Sequence, residues 1–315
     1  MSSLSTEELL RQKLENIVSK YGDNSLLLSG GLDSSILCLL MRPKLSVVTS
    51  LGSDSEDLQH ARRVAKHYSQ KHVECIVNFD DIVDILPHII RTFKTFDPLE
   101  IRNSAVIFFG MKTSKYHGFT NIVTGDGADE LFAGYNYLQR YFSDLQKLQI
   151  ILDELWRIMR FSSRRIGEFL GITVNTPYLE KPLYDLATSM DISEKVGEFE
   201  YKKWGKFILR KTFANELGST VWRKKMALEQ GSGFEQISKK FNDLIDGKDF
   251  SIRLNTASLD GVKIRDREQL YYYLIYKSFF GCPAKESCNS LRCSYCKSCL
   301  YYRKYCYTCG AFPPV

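Results

Sequence analysis

The stretch Leu26-Leu27-Leu28-Ser29-Gly30-Gly31-Leu32-Asp33-Ser34-Ser35 constrains the fold more than any other. An apolar run meets two glycines, an Asp and two hydroxyls, and a second apolar run from Ile36 to Met41 follows. That order predicts a buried strand, a tight turn and a helix starting at the turn. The glycines let backbone approach a bound anion closely, and the free N–H groups of a helix start point at it. Ser29, Ser34 and Ser35 add hydroxyl donors, and Asp33 is placed to hold Mg²⁺ against phosphate oxygens. A Walker loop would carry a Lys before its Ser or Thr, and none is present. A plain Gly-Gly turn with surface serines is the alternative, and the strand and helix context weighs against it.

The chain around this loop alternates. A strand is expected over residues 45–51, a charged helix over 56–68 and a strand over 72–78, which predicts a parallel sheet with helices on both faces. Residues 5–20 open with a hydroxyl–acid cap, Ser5-Thr6-Glu7-Glu8, and carry Leu9, Leu10, Leu14, Ile17 and Val18 at helical spacing. Helices are expected over 81–95 and 103–117, joined through Phe96-Asp97-Pro98, and then a short strand over 119–124. That strand delivers Gly125-Asp126-Gly127-Ala128-Asp129-Glu130-Leu131-Phe132-Ala133-Gly134-Tyr135, three acids and three glycines at a strand end, where open α/β sheets place ligands. A solvated acidic turn would not need glycines on both sides. Residues 136–170 are expected to form amphipathic helices with Arg157, Arg160, Arg164 and Arg165 on a solvated basic face. Residues 198–210 suggest a charged helix with Lys206 and Arg210 toward the phosphates, 245–263 a loop, and 264–280 an aromatic-rich helix that packs the tail onto the body.

The 315 residues are 44% hydrophobic and 25% charged, a globular composition. Without an apolar stretch of about 18 residues or a secretory signal, a cytoplasmic protein with no membrane span is expected. The net charge of +6 permits an acidic partner without demanding one. Cys38 and Cys75 lie in apolar segments and suit the core, whereas seven of the nine cysteines fall between Cys282 and Cys309. Cys293-x2-Cys296 and Cys306-x2-Cys309, nine residues apart, suit a Cys₄ zinc site. Cys282, Cys288 and Cys299 remain as further candidate ligands, and Cys293-x2-Cys296-x2-Cys299 is also a spacing that an iron–sulfur cluster uses. No His follows His117, so ligands in the tail are thiolates or a carboxylate such as Glu286. Lys285, Arg292, Lys297, Arg303 and Lys304 alternate there with Tyr295, Tyr301, Tyr302, Tyr305 and Tyr307. This pattern suits either tyrosines packed on the body or contact with RNA.

The loop at 29–35 resembles the pyrophosphate-binding loop of ATP pyrophosphatases. Together with Gly125 to Tyr135 it is similar to the synthetase domain of glutamine-dependent asparagine synthetases. Ser53-Asp54-Ser55-Glu56-Asp57-Leu58, Ile101-Arg102-Asn103-Ser104, Thr176-Pro177-Tyr178-Leu179-Glu180, Lys206 to Arg210, Trp222-Arg223-Lys224-Lys225 and Gly231-Ser232-Gly233 fit the same family in order. The resemblance implies a parallel-sheet α/β ATP pyrophosphatase fold (adenine nucleotide α-hydrolase-like) at 1–280, with a helical C-terminal part, followed by a cysteine-rich module at 281–315. It implies that Ser29, Gly30, Gly31, Asp33, Ser34 and Ser35 bind pyrophosphate, that Asp33 and Asp129 hold Mg²⁺, and that Lys225 reaches the phosphates. Leu28, Leu51, Thr124 and Gly125 would border the adenosine of ATP, Asp126 would guide ammonia, and Arg102 would anchor a substrate carboxylate or form an ordinary salt bridge.

The implied activity is adenylation of a small carboxylic acid followed by attack of ammonia or an amine, an AMP-forming amide ligase. On that reading Asp33→Ala or Asp129→Ala abolishes pyrophosphate release and leaves the protein folded. The chain opens Met1-Ser2-Ser3-Leu4, where the family's glutaminase domain would have Cys after Met1, so free ammonia, a separate glutaminase or another amine is the expected nitrogen source. The alternative is a tRNA-modifying enzyme that uses the same adenylation chemistry with the basic tail on RNA.

Overall fold

Helix α1 (Thr6–Val18) opens with the reciprocal Ser5–Glu8 capping box and buries Leu10, Leu14, Ile17 and Val18. Five parallel strands follow: β1 (Ser25–Leu27), β2 (Leu45–Leu51), β3 (His72–Val77), β4 (Asn121–Val123) and β5 (Thr173–Asn175), in the order β3-β2-β1-β4-β5. α2 (Leu32–Met41) and α3 (Glu56–Tyr68) carry the chain from β1 out to β3. α4 (Phe79–Phe93) and α5 (Pro98–Tyr116) return it to the other edge of β1. The order reverses between β1 and β4, and the crevice beyond the strand C-termini at such a reversal is where open parallel sheets take ligands. The computed structural model describes residues 4–302 and 304–315; Met1, Ser2, Ser3 and Arg303, which figure in the sequence reading, lie outside the described residues.

Alternate strand residues face opposite layers. Leu26 and Val123 enter the core shared with α1 and α2, while Ile122 and Val77 enter a second core with α4 and α5. The rest of the chain is mostly helical: α6 (Ala128–Leu131), α7 (Leu145–Ile158), α8 (Ser162–Leu170), α9 (Lys181–Ser189) and α10 (Ile192–Lys195). After a hairpin come α11 (Phe207–Thr212), α12 (Ala214–Leu217), α13 (Leu228–Gly231), α14 (Ile237–Leu244), α15 (Gly247–Leu259) and α16 (Arg267–Phe280). The parallel α/β core, the helical C-terminal region and the cysteine-rich tail are therefore all present. Among the described residues no helix is long and apolar enough to cross a membrane.

Three expected elements differ. The second of the paired helices starts at Pro98 rather than 103, because Asp97 caps it and proline suits a first helical position. Residues 198–210 are not one helix. β6 (Val196–Phe199) and β7 (Lys202–Gly205) form an antiparallel hairpin through Glu200 and Tyr201, both at positive φ, and α11 follows. Two successive left-handed residues match the twist of a two-residue hairpin loop. The expected loop at 245–263 is mostly α15, capped by Asp246 and braced by the Asp249–Arg253 pair. It buries Ala257 alone, so it shows almost no apolar periodicity in sequence. β5 has no sequence counterpart; a three-residue edge strand leaves no readable alternation.

The tail lies against α16 and the start of α5. Cys293, Cys296, Cys306 and Cys309 share the second core with Phe96, Tyr272, Tyr273 and Tyr276.

Candidate functional site

The glycine loop rests directly on α3. Gly30 has φ +67, and a Cβ there would stand 2.4 Å from the His60 backbone carbon and 2.5 Å from the Ala61 nitrogen. Only glycine meets both conditions. Ser29 Oγ accepts from Gly31 N at 3.3 Å, and Ser34 Oγ donates to the Gly31 carbonyl at 3.2 Å. Ser35 Oγ is buried without a hydrogen-bond partner. Arg223 secures the loop, its Nη1 donating to the Ser29 carbonyl at 3.1 Å and its Nη2 to Asp57 Oδ1 at 2.7 Å. Leu28, Leu51, Thr124 and Gly125 gather at the strand C-termini. Leu51 N donates to Ser232 O at 2.9 Å, and a Cβ on Gly125 would lie 3.3 Å from Asp33 Cβ.

Asp33, in the first turn of α2, and Asp129, in α6, converge on one cation. Lys206 Nζ lies 2.6 Å from Asp33 Oδ2 and 2.6 Å from Asp129 Oδ1, and Lys225 Nζ lies 2.9 Å from Asp129 Oδ2. The approach of Lys206 to Asp129 is close enough for an ion pair but not aligned as a hydrogen bond, so Asp129 Oδ1, like Asp33 Oδ1, has no hydrogen-bond donor. Burial alone would raise the Asp129 pKa; Lys206 and Lys225 outweigh it and hold the carboxyl well below its ordinary range. Burial would likewise lower the Lys225 pKa, and Asp129 and Asp33 reverse that. Asp129 and Lys225 thus hold each other in their charged forms.

Lys206 is 2% exposed, sits at φ 54 between β7 and α11, and its N–H donates to Phe132 O at 2.7 Å. A Cβ on Gly134 would stand 2.0 Å from Lys206 Cε and 2.1 Å from Asp129 Oδ1, so that glycine makes room for the pair. In the sequence Lys206 is one cation of a charged run; its position at the end of a hairpin, not on a helix, is what brings it between the two carboxylates. Arg210 is spent on backbone, donating to Gly205 O at 2.9 Å and to Val221 O. Glu130 turns inward, accepting from Tyr135 OH at 2.6 Å, and burial and then Asp129 push its carboxyl up to about 7.

Asp126 is held by two hydroxyls on one oxygen: Thr124 Oγ1, at 3.0 Å, and Ser163 Oγ both donate to Oδ2. Burial raises its pKa, and those donors oppose the rise. Arg102 has the salt-bridge role of its two expected ones. Its Nε donates to Glu268 Oε1 at 2.8 Å and its Nη2 to Oε2, with Glu268 only 1% exposed. The basic face is solvated as expected, with Arg157, Arg160, Arg164 and Arg165 all exposed; from there Arg160 stacks 3.9 Å from the Tyr307 ring centroid, Arg164 donates to Thr176, and Arg165 lies over Phe93.

In the tail the Cys293, Cys296, Cys306 and Cys309 sulfurs all lie within 4.8 Å of one another, and all four residues are buried. This is a cluster able to coordinate a metal. The other three candidates do not join it. Cys288 and Cys299 are bonded to each other, which removes Cys299 from the iron–sulfur-like triplet, and Cys282 Sγ donates to Asp260 O at 3.1 Å. Glu286 pairs with Lys94 at 2.7 Å instead of facing the sulfurs. Tyr305 and Tyr307 point inward, donating to Asp97 and to Ile158 O, whereas Tyr301 is 83% exposed. Burial pushes the Cys38 thiol up to about 12, as an inert core residue requires.

The asparagine synthase family model matches residues 5–171, across the loop, Asp33, Asp126 and Asp129. The chain belongs to the asparagine synthase family. A probable glutamine-hydrolyzing asparagine synthetase of Dictyostelium discoideum is 28% identical over 241 residues, covering 67% of this chain and 43% of that protein. Asparagine synthetase B (glutamine-hydrolyzing) of Escherichia coli K12 is 25% identical over 329 residues, covering 92% of this chain and 57% of that protein. The chain thus spans about half the length of the curated relatives it matches. A solved predicted subunit of tRNA methyltransferase from Methanocaldococcus jannaschii aligns at TM-score 0.26 and 18% identity over 63% of this chain and 90% of that one, too weakly to carry an argument.

Proposed function

We propose that this chain is an ATP-dependent, AMP- and pyrophosphate-forming ligase that adenylates a small carboxylic acid for attack by ammonia or an amine. The observation that carries this reading is the convergence of Asp33 and Asp129 with Lys206 and Lys225 beside the Gly30-Gly31 loop. A nucleotide-binding remnant would not need that full set.

The donor set fits Mg²⁺, since two carboxylates face one point and Asp33 Oδ1 and Asp129 Oδ1 lack hydrogen-bond donors. Asp33 and Asp129 would hold the ion, which would supply charge neutralisation on the pyrophosphate leaving group. The substrate carboxylate attacks the α-phosphorus, the α–β P–O bond breaks, and an acyl-adenylate forms. Lys206 and Lys225 and the loop N–H groups stabilise the negative charge that gathers on pyrophosphate. Arg223 keeps the loop at its distance by fixing the Ser29 carbonyl. The amine then attacks the acyl carbon, AMP leaves, and Asp126 orients the incoming N–H. Much of the acceleration comes from holding the two reactants together.

For the cysteine cluster we infer structural zinc. The Cys296–Cys306 and Cys293–Cys309 sulfurs are 3.6 and 3.7 Å apart. A thiolate tetrahedron with metal–sulfur bonds of about 2.3 Å has edges of about 3.8 Å. Metal analysis of the purified protein and its visible absorption separate zinc from an iron–sulfur cluster.

Release of AMP and pyrophosphate from ATP and Mg²⁺ tests the activity in parallel reactions: aspartate with ammonium chloride, aspartate with glutamine, and bulk tRNA. Asparagine with AMP in the first reaction alone supports an ammonia-using ligase. Product also with glutamine points to a glutaminase activity in the preparation. Turnover only with tRNA overturns the amide-ligase reading.

A further inference from the structure

We propose that the cysteine module positions Asp126 through a hydrogen-bonded brace, with Tyr305, Asp97, Glu100, Ser162 and Ser163 as positioning residues for the nitrogen-transfer step. The inference rests on the ligase reading for its chemistry, and on geometry alone for the brace. It begins at the site. Both hydroxyl donors to Asp126, from Thr124 and Ser163, fall on Oδ2, and among the described residues no protein donor reaches Oδ1. A carboxylate pinned on one oxygen cannot swing, so its free oxygen keeps one direction and is available to an incoming N–H.

Ser163 and its neighbour Ser162 form the first turn of α8. Ser162 Oγ donates to Glu100 Oε1 at 2.6 Å, and Ser104 Oγ donates to the same oxygen at 3.2 Å. Glu100 lies in the first turn of α5, so two adjacent serines tie a carboxylate of α5 to the carboxylate that follows β4. Bringing two acids onto neighbouring hydroxyls, with Arg102 committed elsewhere, is a costly way to join two helices that apolar contacts could join.

The α5 end of the brace is set by the tail. Asp97, 2% exposed, caps α5 by accepting from Leu99 N at 3.2 Å, and its other oxygen accepts from Tyr305 OH. Thr95 Oγ1 donates to Tyr307 O at 2.7 Å, Phe96 N donates to Thr308 O at 2.8 Å, and Gln269 Nε2 donates to Cys309 O at 2.9 Å. A Cβ on Gly310 would lie 2.1 Å from Asp97 Oδ1, so the segment lies in direct contact with the cap. The same six residues, 305–310, carry two of the four clustered cysteines, Cys306 and Cys309. Ordering of this segment by a bound metal therefore orders the start of α5, then Ser162 and Ser163, then Asp126.

The experiment uses the full-length, metal-loaded protein with Tyr305→Phe, Ser163→Ala and Ser163→Thr. Amide hydrogen exchange of peptides covering 98–104 and 162–170 reads the brace whatever the protein's substrate. Tyr305→Phe should speed exchange in both peptides by on the order of tenfold, the effect of one lost hydrogen bond to a charged group, and chelation of the metal should speed it by more. Faster exchange at 98–104 with none at 162–170 overturns the brace. Aspartate-dependent ATP–pyrophosphate exchange and the ammonium KM of amide formation then read the consequence. Ser163→Ala should raise that KM about tenfold, with adenylation within about twofold of the parent, and Ser163→Thr should restore it. Equal loss of adenylation and ammonium use in Ser163→Ala overturns the positioning role. A wild-type protein that adenylates nothing overturns the ligase reading instead, and the exchange data alone then decide the brace.

Discussion

The glycine-loop site and the cysteine cluster both withdraw charge-bearing atoms from water, and they balance it differently. Asp33 and Asp129 face two ammonium groups, Lys206 and Lys225, supplied by the chain itself. Among the described residues the four sulfurs receive a hydrogen bond from Tyr295 N and share others with the Ser298 hydroxyl, with neither Lys nor Arg as a partner. The first site is neutralised within the fold and stands ready before any ligand arrives. The second needs a cation from outside if its thiols are to ionise, so its folding is linked to metal. A site that must exchange substrates benefits from built-in compensation, whereas a site that only holds structure can depend on an ion that never leaves.

Removing the metal breaks the comparison most severely. Chelation or Cys296→Ser should cost several kcal/mol and lower the melting temperature by about 10 °C or more, with near-ultraviolet signals of the tail tyrosines lost first. Calorimetry with and without chelator checks this, and an unchanged melting temperature would mean that the cluster stands as free thiols.

The next effect comes from the other site. Asp129→Ala leaves Lys206 and Lys225 without their shared acid, so it should cost about 3–5 kcal/mol as well as abolish pyrophosphate release. The sequence-based expectation that such a variant stays folded carries no stability cost; the buried ion pairs add one. Lys206 keeps Asp33 in that variant, so adding Lys225→Met to Asp129→Ala should recover part of the stability and none of the activity. Denaturant unfolding of the single and double variants measures the difference.

Arg102 gives a smaller, more diagnostic effect. Breaking its pair with Glu268 should cost about 2 kcal/mol, less than for a fully buried pair because the Arg102 side chain is 18% exposed. A pairing role predicts that Glu268→Gln adds little to Arg102→Ala; a raised KM for the acid substrate at unchanged stability would instead restore the anchoring role.

The smallest effect is one of pH. Burial, followed by the positive charges of Arg223 and Arg63, lowers the His60 pKa to about 4 from an ordinary 6.5. The unfolded chain thus binds more protons between those values, so stability should rise as pH climbs from about 4 to 6.5 and level off above. His60→Gln should flatten that part of the melting-temperature profile by a few degrees at most, leaving the cysteine cluster's metal dependence unchanged.

Much of this molecule is legible in one dimension. The loop at 29–35 announces itself because strand, glycines, hydroxyls and helix are contiguous, and the cysteine pairs do so because each knuckle is built from residues three apart. The misreadings have equally physical causes. The charge run at 198–210 has no apolar period to distinguish a hairpin from a helix, and its turn uses Glu200 and Tyr201 in place of the usual glycine or asparagine. α15 is nearly all solvated, so its helical nature rests on the Asp246 cap rather than on a buried stripe.

By itself, the sequence determined the fold class, the glycine loop with its carboxylates, and the two cysteine knuckles, because each is specified by neighbours in the chain. Tertiary structure alone decided which cation stands between Asp33 and Asp129, that Arg102 meets Glu268, that Cys299 leaves the cluster for Cys288, and which way Asp126 points. Asp33 and Lys206 are 173 positions apart and Asp97 and Tyr305 are 208 apart. Pairings at such separations leave no periodicity to read; they exist only once the parallel sheet brings its loops to one edge and the second core draws the tail against the start of α5.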